Sequence, residues 1–199
     1  IMGRESAPKL IHILFSHLHM DHILGFFGFG LFHDPEARIH LYGEPGAGIS
    51  FRQRLEQVAA QPYWPLGLDD YQAQIQIHEV GPGQQFCLEE TGTALRVSTL
   101  RGMHPGGSIL YRLDQTTSSG PAAGVRESGA GDVAGIRKIR AGDVAGVQAI
   151  YTGSTVCGEA TGPYSRSLVY ALDCEQDKAM SRELAAFASG TDLLVCDAH

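Results

Sequence analysis

The sequence predicts an α/β (α+β) layered fold. Short apolar runs alternate along the chain with segments of helical periodicity, and Gly- and Pro-containing turns separate them. Leu10 to Phe15, with Ile11, Ile13 and Phe15 in alternation, reads as the first strand. Met20 to Phe32 reads as a helix, weakened by Gly25, Gly28 and Gly30. Arg38 to Tyr42 is a short strand. Ile49 to Ala60 is an amphipathic helix, because Phe51, Leu55 and Val58 recur at helical spacing; Pro62 and Pro65 close it. Ile75, Ile77 and Glu79 alternate with polar residues, and Gly81-Pro82-Gly83 turns the chain. Leu95 to Leu100 and Ser108 to Leu113 read as strands on either side of His104. Met180 to Ala188 reads as a helix leading into a strand over Leu193 to Cys196.

The whole is read as one domain, 1–199, since 199 residues suffice for a single substantial core. Between Asp114 and Arg166 the pattern gives way to a Gly-, Ala- and Ser-rich stretch, far longer than the roughly 4–6 residues of an ordinary connection. It reads as a low-complexity insertion at about 115–166. Ala130-Gly131-Asp132-Val133-Ala134-Gly135 recurs within it eleven residues later as Ala141-Gly142-Asp143-Val144-Ala145-Gly146. Two copies are too few for a solenoid. Low bulky-apolar content predicts a weakly ordered excursion.

Composition narrows the function classes. A hydrophobic fraction of 43% with 19% charged residues is that of a soluble globular chain. No run reaches the roughly 18 apolar residues of a membrane helix, so no membrane partner is expected. A net charge of −7 offers no long-range attraction to nucleic acid, which is therefore not the favoured partner. Cys87, Cys157, Cys174 and Cys196 are scattered, with no C-x-x-C pair, and read as free thiols in a cytoplasmic setting.

The most specific feature is Phe15-Ser16-His17-Leu18-His19-Met20-Asp21-His22. In an extended segment side chains repeat with period two, so His17 and His19 project to one side and can grip one ion. Asp21 and His22 follow where a helix begins and can turn toward a second. Isolated histidines such as His12, His33, His40 and His78 need no function. Three histidines and an aspartate at this density are costly to bury unless paired or metal-bound.

The string His17-x-His19-x-Asp21-His22 resembles that of the metallo-β-lactamase-fold hydrolase superfamily. His104, in Gly102-Met103-His104-Pro105-Gly106-Gly107, resembles the family's lone third histidine. Asp173, in Leu168-Val169-Tyr170-Ala171-Leu172-Asp173, resembles its strand-end aspartate, and Leu193 to His199 its next strand. Order and spacing are most similar to the branch containing ribonuclease Z and the cyclic-phosphate phosphodiesterases. The resemblance implies a four-layer αββα sandwich. It also implies a first metal on His17, His19 and His104, a second on Asp21 and His22, and Asp173 on both. Asp173, Asp21 and Asp197 are its catalytic carboxylates, with Asp197 at the acid position, where Cys196 replaces the histidine common in ribonuclease Z. The family places two or three strands before the motif and a further histidine after the last strand. The chain is accordingly read as an internal piece, incomplete at both termini.

The implied chemistry is hydrolysis by a hydroxide bridging two divalent metals, zinc or alternatively manganese or iron, with the ions stabilising charge on a phosphoryl group. A small-molecule phosphodiester is the expected substrate. The alternatives are a lactone or thioester hydrolase and a catalytically silent metal-binding fragment. Homodimer formation stays open.

Overall fold

The computed structural model describes residues 9–90, 93–116, 166–175 and 177–197. They fall into two compact units that meet in the chain at Val80 and Gly81.

The first unit is a parallel three-stranded sheet in the order β1 (Leu10–Leu14), β2 (Arg38–Gly43), β3 (Gln74–Glu79). Parallel strands require crossovers, and helical segments supply them. α1 (Met20–Ile23) and a 3-10 turn at Gly30–His33 lie between β1 and β2, and α2 (Phe51–Val58) lies between β2 and β3. Ile13, Ile39, Leu41, Ile75 and Ile77 pack with Phe51 and Leu55 of α2 in one core. α2 starts at Phe51 rather than Ile49 because Ser50 caps it: its Oγ accepts from the Gln53 N–H, and the Gln53 side chain accepts from the Ser50 N–H in return. Glu79 Oε1 accepts from the Phe51 N–H at 2.8 Å and ties the helix start to β3.

The helix expected over Met20 to Phe32 is not formed. It stops at Ile23, and the chain continues through turns. Gly25, Gly28 and Gly30 each disfavour the helix by roughly 1 kcal/mol. Phe26 and Phe32 gain more as an edge-to-face cluster, with ring centroids 5.0 Å apart and Phe15 another 5.0 Å from Phe26.

The sheet face opposite that core carries His12, His40, Tyr42 and His78 in neighbouring register positions. His40 Nδ1 lies 2.9 Å from His78 Nε2, and the rings of Tyr42 and His78 stack at 4.5 Å. Burial, then the charges His12, His78 and Arg38 would bring, lower the pKa of His40 from 6.5 to about 4; burial and His12 also lower that of His78. A histidine whose folded pKa lies below its unfolded value stays neutral in the native state, so stability is full above the unfolded pKa and declines as pH falls through the folded one. Urea unfolding followed by Trp64, which donates Nε1–H to the Tyr71 hydroxyl, is therefore expected to show stability falling between pH 6.5 and about 4. His40→Gln should flatten that fall. An unchanged slope would refute the assignment.

The second unit is a five-stranded sheet in the order β4 (Gln85–Glu90), β5 (Thr93–Gly102), β6 (Ser108–Thr116), β7 (Arg166–Ala171), β8 (Leu193–Cys196). The first three pairings are antiparallel; β7 and β8 are parallel and are joined through α3 (Lys178–Phe187). The sequence reading missed β4: Phe86-Cys87-Leu88 between glutamines and glutamates carries no β-branched residue, and pairing with β5 makes it a strand. α3 begins two residues before Met180 because Asp177 caps it, its Oδ1 accepting from the N–H groups of Ala179 and Met180 at 2.8 and 2.7 Å. Leu110, Val169, Ala171, Met180 and Leu184 form the core beneath it. Arg112 locks the end of α3 to β6, with Nε 3.0 Å from both Asp114 oxygens and a second nitrogen donating to the carbonyls of Phe187 and Ser189.

The mixed sheets and helices establish the α+β class. Gln115 pairs with Arg166 across β6 and β7, so the chain departs and returns at hydrogen-bonded neighbours. The expected weak order of the insertion and its internal repeat fall outside the described residues, as does His199. Cys174 and Cys196 are free, but Cys87 is disulfide-bonded, which corrects the reading of all four cysteines as thiols. Scattered cysteines do not reveal their pairing in the linear order. Among the described residues no helix is long and apolar enough to cross a membrane.

Candidate metal centre

In the first unit the chain leaves β1 extended through His17 and His19, then coils at α1. The His22 N–H donates to the His19 carbonyl at 3.1 Å, and this turn brings His22 back toward His17. The His17 ring centroid lies 4.5 Å from that of His19, edge-on, and 4.6 Å from that of His22. One ligand nitrogen of His17 is within 4.8 Å of one on His19, and one is within 4.8 Å of a nitrogen on His22. Two nitrogens bound to one zinc at about 2.0–2.1 Å in tetrahedral geometry stand roughly 3.4 Å apart, so small rotations close either pair on an ion. The donor set fits such a metal. His17 is buried, and its Nδ1 lies 3.1 Å from Ser16 Oγ. A metal-competent His17 donates Nδ1–H to Ser16 and offers the Nε2 lone pair. Asp21 is 79% exposed, with Oδ2 3.5 Å from His22 Nε2.

In the second unit His104 lies in the short connection between β5 and β6. Its carbonyl accepts from the Gly107 N–H at 2.8 Å, and Gly106 and Gly107 have φ of 82° and 84°, values that favour glycine. The loop after β7 is fastened beside this turn: the Glu175 N–H donates to the Met103 carbonyl at 2.6 Å, and Ser108 Oγ lies 3.4 Å from the Asp173 carbonyl. Asp173 has φ of 50°, the one non-glycine in the left-handed region among the described residues. Its N–H donates to the Asp197 carboxylate. Three of the expected residues, His104, Asp173 and Asp197, are thus carried by neighbouring loops of one sheet. Burial, then Asp173 and Asp197, raise the pKa of Tyr170 and keep its phenol protonated.

Sequence reasoning missed Ser16, Ser108, Tyr170 and Gly102, because none is a metal ligand and each matters only through a neighbour. A Cβ at Gly102 would stand 2.1 Å from Ser108 Oγ and 3.0 Å from Leu110 Cδ2. Gly102 and Ser108 are also the register pair that closes the His104 loop. Gly102→Ala is expected to destabilise the chain by about 1–3 kcal/mol, as overpacking does, and to weaken metal binding. Thermal melts and metal titration of the variant check this; wild-type behaviour in both would contradict it.

Each unit by itself thus carries potential metal ligands on the segments that follow or join its strands: His17, His19 and His22 in the first, and His104, Asp173 and Asp197 in the second. A family model described as Beta-lactamase superfamily domain matches residues 2–134, and the chain belongs to that superfamily. It is 45% identical over 71 residues to the ribonuclease Z of Deinococcus radiodurans. That stretch is 35% of this chain and 20% of the relative, so the chain spans a small part of the protein it matches. Among solved structures, the metallo-beta-lactamase fold protein YhfI from Bacillus subtilis aligns with a TM-score of 0.43 at 15% identity, over 92% of this chain and 47% of that one.

Proposed function

We propose that this chain carries a metal-dependent hydrolase site, a phosphodiesterase acting on a small phosphodiester in preference to nucleic acid. Both compact units are read as parts of one domain, since the family match at residues 2–134 runs across the boundary at Val80 and Gly81. The observation that carries the proposal is the placing of His19 and His22 each within ligating reach of His17 at the family motif. In this reading His17, His19 and His104 hold the first divalent cation, Asp21 and His22 the second, and Asp173 both. Zinc suits the imidazole-rich first site, and the carboxylate-bearing second also accepts manganese or iron.

Bound there, the two cations lower the pKa of water toward neutrality and polarise the phosphoryl oxygens. The remaining work belongs to the chain. Ser16 orients the His17 ring, and Asp197 holds the Asp173 main chain in its left-handed conformation. Protonated, Asp197 gives its proton to the leaving-group oxygen as the P–O bond breaks and is left as the carboxylate. Asp21, open to solvent, orients His22.

Metal-reconstituted protein assayed on bis(p-nitrophenyl) phosphate and on a lactone panel tests the reading. Cleavage of the phosphodiester alone supports it. Cleavage of lactones or thioesters alone substitutes the carbonyl reading, and bound metal without turnover makes the chain a silent metal-binding fragment. A cytoplasmic setting belongs to the proposal; the free Cys174 and Cys196 support it and the disulfide at Cys87 opposes it. Alkylation before cell lysis, with Cys87 found reduced, would decide for it.

A further inference from the structure

The first unit has a concave feature on the motif segment itself. Leu18 and Met20, which alternate with His17 and His19, form a cleft of about 520 Å³ with Arg54, Gln57 and Val58 of α2 and with Tyr63 beyond it. The volume is within the roughly 300–1,000 Å³ of small-molecule sites. Two of the chain's large exposed apolar side chains meet here, Met20 at 54% and Tyr63 at 86% exposure. A thioether and a phenol ring together favour a flat aromatic group.

The polar element is Arg54. It is anchored by donating to the Glu44 carbonyl at 2.9 Å, yet it has no carboxylate partner among the described residues. Arg52, two residues earlier, is instead engaged by both Glu56 and Asp69. In a chain of net charge −7, an anchored guanidinium with no carboxylate partner among the described residues stands beside apolar surface, and its planar fork matches phosphate oxygens.

We infer that this cleft is a binding subsite for an aromatic phosphate ester, with Arg54 on an anionic oxygen and Tyr63 and Met20 against the ring. Leu18 forms its apolar floor beside the metal-binding stretch. The inference rests on the phosphodiesterase reading and narrows its substrate class: the uncleaved portion carries a ring, as an aryl or nucleobase-bearing ester does.

Titration of the intact metal-free protein with 1-naphthyl phosphate, followed by NMR, tests the subsite without turnover. Binding is expected to involve the Tyr63 ring and Met20 methyl signals, to exceed that of cyclohexyl phosphate, and to weaken about tenfold in Arg54→Gln and in Tyr63→Ala. Arg54→Lys, which keeps the charge, should retain part of the affinity. In metal-loaded protein Arg54→Gln should raise KM for bis(p-nitrophenyl) phosphate about tenfold with a much smaller change in kcat. Unaltered binding and KM in both variants overturn the subsite while leaving the hydrolase reading intact. Binding without any turnover does the reverse. A shift from dimer to monomer in Tyr63→Ala, with ligand binding unaffected, would assign the cleft to a second copy of the chain and overturn the inference.

Discussion

Asp173→Ala is expected to lower kcat/KM on a phosphodiester by about 10²–10³-fold while part of the metal stays bound, the size of effect seen when a positioned electrostatic group is lost. Asp173 is the residue read as touching both cations, and the structure holds it by its backbone. Its φ of 50° is a conformation costing most L-residues roughly 1–2 kcal/mol, its N–H is bound by Asp197, and its carbonyl faces Ser108. Aspartate and asparagine tolerate that region better than alanine, so Asp173→Ala should also lose about 1 kcal/mol of stability. Asp173→Asn separates the two effects: it keeps the shape and the backbone preference but not the charge. Normal melting with lost turnover in Asp173→Asn is the predicted pattern, read by thermal denaturation beside steady-state kinetics. Full activity in Asp173→Ala would remove Asp173 from the site.

His17→Ala should weaken metal binding more than about 100-fold, beyond what changes in outer-shell partners cost. His17 is the one histidine whose nitrogens reach both His19 and His22, so its loss breaks both pairs, whereas His19→Ala breaks one. Because the His17 ring is buried, His17→Gln serves as the control for packing. Metal per chain after dialysis, measured by elemental analysis, should fall in the order wild type, His19→Ala, His17→Ala. Equal metal content in all three would leave the cluster a packed histidine group.

Much of this was legible in the linear order because it depends on local rules. Period-two alternation located β1 and β3, and the dense ligand string located the histidine cluster. Elements set by long-range partners were less legible. β4 owes its existence to β5, and the glycines after Ile23 let an aromatic cluster replace a helix whose periodicity was otherwise sound. The same holds at the site. The ligands announce themselves by type and spacing, while Ser16 acts through the adjacent His17, Gly102 through Ser108 across the strand pair, and Ser108 through Asp173, 65 residues on in the chain.

The pairing of Gln115 with Arg166 has a practical corollary. Directly opposed residues of antiparallel strands stand about 4.5–5.5 Å apart, a gap that a two-residue turn spans. Nothing in the ladder between β6 and β7 therefore fixes how many amino acids lie between them. That junction is a place where an engineer could graft a reporter without touching the ladder between β6 and β7, so long as the disulfide of Cys87 is kept.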